Sequence, residues 1–118
     1  MGQEPRDGGA DVEAVYANGQ SGNYPHPYLT LRDLKHLLER CHEGNKLIRN
    51  IEAYEIDGEF DTLRVDLSLF AGGVSEQIRP WHERVAETTE VIGSLIADAA
   101  KEQNRIMFIV WLDTRMPD

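Results

Sequence analysis

Residues 106–112, Ile106-Met-Phe-Ile-Val-Trp-Leu112, are apolar in both phases of a strand's alternation and are bounded by Arg105 and Asp113. A strand that is apolar on both sides must be covered on both sides, so this run is expected to be a buried strand. The rest of the chain must then supply a layer of structure for one sheet face and some cover for the other. The segment just before it meets the first demand. Trp81, Val85, Thr88, Ile92, Leu95, Ile96 and Ala99 recur at helical spacing, which predicts a long amphipathic helix from about residue 80 to about residue 103. Ser75 or Gln77 is expected to begin this helical region, because Pro80 is tolerated only within a first turn. Gly93 weakens the helix by about 1 kcal/mol relative to alanine, and its expected justification is close packing on the sheet.

An earlier helix is predicted from Thr30, which can cap. Asp33 follows at the third helical position, and Leu31, Leu34, Leu37 and Leu38 share one face until Gly44. Cys41 falls on that same face and is expected to be a small core residue. Between the helices lie two extended segments, residues 47–56 and 62–70. In the second, Leu63, Val65, Leu67 and Leu69 alternate with Arg64, Asp66 and Ser68, which predicts one buried and one wet face. The first alternates less cleanly, consistent with either a bulge near Asn50 or a strand covered on both sides. The connection Asp57-Gly58-Glu59-Phe60-Asp61 is longer than a two-residue turn, and its geometry is open.

The predicted order is helix, strand, strand, helix, strand. This is an α/β fold of the α+β kind: a two-layer sandwich with helices on one face of a small mixed sheet, the last strand joining in parallel through a crossover helix. Such a three-stranded sheet leaves Met107, Ile109 and Trp111 on an open face. Either residues 11–17 help cover it, or a second copy of the chain does, giving a homodimer through the sheet. Residues 11–17 read equally as a short strand or a single helical turn. They belong to residues 1–27, which hold five of the ten glycines and three of the five prolines and are expected to form a flexible segment ahead of one compact domain, 28–118.

With 118 residues, 41% of them hydrophobic, the chain can bury a core of its own. It carries 12 basic and 21 acidic residues, a formal net charge of −9. Residues 1–27 contribute Glu4, Asp7, Asp11 and Glu13 against Arg6, so −6 of the total belongs to the remainder. Such acidity favours basic partners and disfavours nucleic acid, and Lys46, Arg49, Arg64, Arg79, Arg84 and Arg105 are scattered among a larger number of acids. One cysteine excludes an intrachain disulfide. No basic segment with a long apolar run opens the sequence, and no run of about 18 apolar residues occurs, so a cytoplasmic protein without membrane contact is expected.

Catalytic and metal chemistry find little footing. His36 and His42 are six residues apart on one helix and point about 240° from each other at 100° per residue, and His82-Glu83 is followed at position 86 by alanine rather than a second histidine. A calcium loop starting at Asp57 would need its closing glutamate where Ser68 stands. Gly72-Gly73 has no following lysine, and Ser68, Ser75 and Ser94 sit in no tight elbow. Neither a catalytic residue, a metal site nor a cofactor is expected. Trp81 and Trp111 are expected in the core, while Tyr24 and Tyr28, flanking Pro25-His26-Pro27, could serve either as a cover over the core or as an exposed recognition segment.

The chemically distinctive stretch is Glu52-Ala-Tyr-Glu-Ile-Asp-Gly-Glu-Phe-Asp61, with five carboxylates and no basic residue. An aromatic residue with a polar tip among acids suits a basic protein surface, so Glu52, Tyr54, Glu55, Asp57, Glu59 and Asp61 form the expected contact patch. The succession of a helix, Ile51-Glu-Ala-Tyr-Glu-Ile56, an acidic hairpin, a Trp81-led helix and the terminal strand Ile106–Leu112 resembles small bacterial toxin-immunity proteins, including those guarding against nuclease toxins. The resemblance spans residues 28–113. It implies a non-enzymatic protein that places carboxylates where a cationic nuclease expects phosphates. The competing expectation is a small structural or oligomerising domain whose acidity only keeps it dissolved.

Overall fold

A computed structural model describes residues 12–18, 28–70 and 80–113. Its elements are α1 (Val12–Asn18), α2 (Leu31–Glu43), β1 (Ile48–Asp57), β2 (Phe60–Leu63), a 3-10 turn (Val65–Leu67), α3 (Trp81–Ala99) and β3 (Arg105–Leu112). After α1 the order is helix, strand, strand, helix, strand, and the fold is α+β.

Local chemistry sets both ends of α2. The Thr30 hydroxyl accepts from the Asp33 N–H at 3.0 Å, and the Asp33 carboxylate accepts from the Thr30 N–H at 3.2 Å, a capping box that satisfies two otherwise orphaned donors. At the other end Asn45, with φ of 57°, takes the left-handed place. Its N–H donates to the His42 carbonyl, and the Lys46 N–H donates to the Cys41 carbonyl at 2.8 Å, the Schellman pattern. Gly44, where the sequence marks the helix end, serves a different need. A Cβ there would stand 1.7 Å from the Tyr16 hydroxyl, so glycine lets α1 approach α2.

Residues 12–18 form a helix and not a strand, and they lie with the helices. Val12 and Val15 join the core beside Leu34, Leu37 and Cys41, while Glu13 receives a 2.7 Å hydrogen bond from Arg40. The expected alternative, cover for the open sheet face by this segment, is therefore overturned: its apolar residues are used against α2. The rest of residues 1–27 lies outside the described residues.

The sheet order is β2-β1-β3, and every hydrogen-bonded pair is antiparallel. The expected mixed sheet is corrected here. Strands β2 and β3 do run parallel to each other, but β1 lies between them, so α3 belongs to a split β-α-β crossover and no parallel pair forms. The irregularity expected near Asn50 is a bulge, with Ile48 opposite Leu112, Asn50 opposite Trp111 and Arg49 the extra residue. One sheet face, carrying Ile51, Ala53, Ile106, Phe108, Val110 and Leu112, packs into the helical layer. Leu47 packs instead with Trp81 and Val85 in a second cluster, where the Trp81 indole N–H donates to the Asn45 carbonyl at 2.8 Å. Cys41 is buried, and burial pushes its thiol up to about 12, which suits a core residue and not a nucleophile.

Two further expectations change. Residues 62–70 are not one strand with a buried face. Pairing ends after Leu63, the chain makes the 3-10 turn, and Leu69 returns to bridge Ile51. Ser68 causes the excursion to close: its hydroxyl donates to the Arg64 carbonyl at 2.6 Å and accepts from the Ala53 N–H at 2.9 Å, standing in for a strand partner. Leu67 is consequently buried while Leu63 and Val65 are exposed. In α3, which starts at Trp81 with Pro80 as the preceding cap residue, Gly93 is exposed and a Cβ there would meet nothing within 4 Å. Close packing on the sheet does not explain it. The earlier helix start at Ser75 or Gln77 falls outside the described residues. Gly93→Ala is therefore expected to stabilise the fold by about 1 kcal/mol, measured as a higher urea midpoint at unchanged slope.

Candidate protein-binding surface on the acidic hairpin

Strands β1 and β2 close through a two-residue turn, because Asp57 pairs with Phe60 and leaves only Gly58 and Glu59 between them. Gly58 has φ of 61° and Glu59 is not among the positive-φ residues, the type II′ pattern with glycine in the first central place. The connection anticipated as longer is shorter because Phe60 and Asp61 already belong to β2.

Alternation along β1 divides the predicted contact residues between two faces. Ala53 faces the helical layer, so Glu52 and Tyr54 face the other way, together with Asp61 and Leu63 of β2 and Met107 of β3. On this outer face the Tyr54 hydroxyl donates to Glu52 at 2.7 Å. That hydrogen bond, reinforced by partial burial and by the nearby charges of Glu52 and Asp61, holds the phenol above its ordinary titration range. Tyr28 meets Tyr54 edge to face, with ring centroids 5.8 Å apart, and donates its hydroxyl to Asp61 at 2.7 Å. Tyr28 is thus a cover, reaching from beyond β3 across β1 to β2, and Met107 beneath this side of the sheet is buried. Ile109 and Trp111 are half-buried.

Glu55 is not brought into this group. It faces the opposite side, where it accepts from Arg64 at 2.8 Å and from the Asn104 side-chain amide. Arg64 also grips Asp66 through two hydrogen bonds of 2.9 and 2.7 Å and reaches Glu102 at 2.9 Å. Three carboxylates around one guanidinium raise the arginine's affinity for its proton, with Asp66 the largest contributor. Asn104 and then Arg64 hold the Glu55 carboxyl below its ordinary range, and Arg64 does the same for Asp66. Because both folded values are depressed, their stabilisation is complete above the unfolded carboxylate range near pH 4 and is lost as pH falls through the folded values. Glu55→Gln and Asp66→Asn together are expected to flatten the acid limb of stability below about pH 4, read from urea midpoints across pH.

Asp57 and Glu59 are exposed at the hairpin tip. Sequence reasoning missed the apolar members of the surface: Phe60 is 73% exposed, Leu63 41%, Val65 64% and Phe70 48%. Leu63 and Val65 were assigned inward by their alternation, and the signal against that was Ser68, a residue able to bond local backbone and interrupt a ladder. The same segment carries Asp57, Glu59 and Asp61, and its one basic residue, Arg64, is already engaged by Asp66 and Glu55. Among the described residues no group of three histidine, cysteine, aspartate or glutamate side chains is placed to hold a metal ion. No helix among them is long and apolar enough to cross a membrane.

Comparison of the chain with models of protein families, with curated proteins and with solved structures found no match.

Proposed function

We propose that the chain is a non-enzymatic, cytoplasmic binding protein that neutralises a basic protein partner, in the manner of an immunity protein masking the cationic site of a nuclease-type toxin. The observation that carries this reading is the interleaving, within one hairpin, of exposed large apolar side chains and carboxylates. Leu63 beside Asp61 on the outer face, and Phe60 beside Asp57 on the other, offer area to bury on both sides of the hairpin, while Asp57, Glu59 and Asp61 supply the field that draws a cationic surface in. Large exposed side chains clustered in one segment are the ordinary mark of an interaction site. Tyr54, braced by Glu52 and by Tyr28, is a low-entropy aromatic anchor at the margin of the surface. Nucleic acid is the wrong partner for the same field, since its phosphates would be repelled.

Glu55 plays a supporting part in this reading. Its carboxylate holds Arg64 and Asn104 and so ties the base of the hairpin to the residues between α3 and β3. The deciding experiment is affinity capture from the source cells over a range of salt. A basic protein released as salt rises, and captured poorly by a variant with Asp57, Glu59 and Asp61 changed to lysine, is the expected result. Equal capture of the same partner by both proteins at low salt would sink the proposal.

A further inference from the structure

Strand β2 carries the open edge of the described sheet. Its one neighbour is β1, whereas the far side of β3 is bridged by Leu29, which exchanges backbone hydrogen bonds of 2.7 and 2.8 Å with Phe108. All four residues of β2 are exposed. Two contacts set the direction of its backbone groups. The turn closes Asp57 against Phe60, and the Arg64 N–H donates to the Ala53 carbonyl at 2.7 Å. In an antiparallel ladder the groups that face a given neighbour alternate, so Thr62 turns toward Glu55 and Leu63 turns its N–H and C=O away from β1.

Exposed edges are ordinarily blunted by being very short, by charged side chains, above all lysine, by proline or by a covering element. Phe60-Asp-Thr-Leu63 contains neither lysine nor proline, and its side chains include two of the large exposed apolar residues. What guards the edge is its shortness and charge of a single sign: Asp57, Glu59 and Asp61 lie on or beside it, while Arg64 and Asp66 are engaged with each other. A second copy pairing here would set acids against acids, which is unfavourable. A strand bearing lysine or arginine would meet them with opposite charge.

We infer that β2 is a strand-addition edge: an extended, lysine- or arginine-bearing segment of the partner lies beside it as a fourth strand, hydrogen-bonded to Leu63 and flanked by the hairpin carboxylates. This rests on the basic-partner reading and specifies how such a partner docks. The 3-10 turn at Val65–Leu67 ends the ladder, so the added strand is short and its side chains must contribute through contact with Phe60 and Leu63.

The test uses the full chain labelled for NMR and two short synthetic peptides alternating lysine and valine, identical in charge, one of them N-methylated on every backbone amide so that neither of its edges can form a ladder. The unmodified peptide is expected to slow hydrogen exchange at the Leu63 amide and to bind roughly tenfold tighter than the methylated one, the worth of one or two backbone hydrogen bonds. Leu63→Pro, which removes the outward N–H but none that faces β1, is expected to abolish that preference while leaving charge-driven binding of both peptides. Equal binding of the two peptides without protection at Leu63 would overturn strand addition and leave the basic-partner reading standing. Binding of neither at low salt would overturn both. Protection of Leu63 without peptide, accompanied by dimerisation, would assign the edge to a second copy and overturn the inference.

Discussion

Phe108→Ala is expected to cost about 3–5 kcal/mol of folding stability, because a buried phenylalanine loses both its transfer energy and its packing when truncated. Phe108 is fully buried in the middle of β3, among the residues that join the sheet to the helical layer. Its backbone also holds Leu29 through two hydrogen bonds, so a cavity beneath it disturbs the segment that leads into the Thr30 cap. Against a total of about 5–15 kcal/mol for a typical domain, the loss leaves a substantial unfolded population. Urea denaturation followed by circular dichroism reads it directly as a lower midpoint. Val91→Ala serves as the control: Val91 is 51% exposed on α3, and its truncation is expected to change stability by no more than about 0.5 kcal/mol. Comparable losses for the two variants would mean that the core has been misplaced.

Reversing the hairpin charge is expected to act chiefly on association, the loss of the Tyr28 hydrogen bond to Asp61 being its one structural cost. Asp57→Lys, Glu59→Lys and Asp61→Lys together change three negative side chains to positive on a surface where all three are exposed. Electrostatic steering accelerates encounter by about 10–1,000-fold, and its reversal is expected to slow association with the captured partner by a similar factor at low salt. The difference should shrink as salt rises and the Debye length falls to about 8 Å near physiological ionic strength. Stopped-flow association rates measured at several salt concentrations distinguish this from a folding defect, which would lower the active fraction at every salt. Asp61→Asn is an informative companion. It keeps an acceptor for the Tyr28 hydroxyl while removing the charge, so it separates the field from the brace across the outer face.

Most elements with a local cause were legible in the residues. Thr30 and Asp33 announced the start of α2 because a capping box involves only neighbours in the chain. The helical spacing from Trp81 to Ala99 and the doubly apolar run of β3 reported burial directly. The broken alternation of residues 47–56 admitted two readings, a bulge or a strand covered on both sides, and the first is the bulge that Arg49 makes. The hairpin was legible as an acidic element, but its two faces were not properly separated. Glu55 was grouped with Glu52 and Tyr54 by proximity in sequence, whereas a strand sends adjacent side chains to opposite sides and Arg64 waits on one of them.

The residues by themselves determined the helix, strand, strand, helix, strand order, the core-facing stripes of α2 and α3 and the acidic character of the hairpin, because periodicity, capping and charge are properties of a local segment. Only the tertiary structure decided that β1 lies between two parallel strands, that α1 packs on α2, and that β2 stops at Leu63. Those outcomes depend on which distant group satisfies each backbone donor and acceptor. Ser68 taking the Ala53 N–H, and Leu29 taking Phe108, are choices among partners far apart in the chain, to which alternation within either segment is blind.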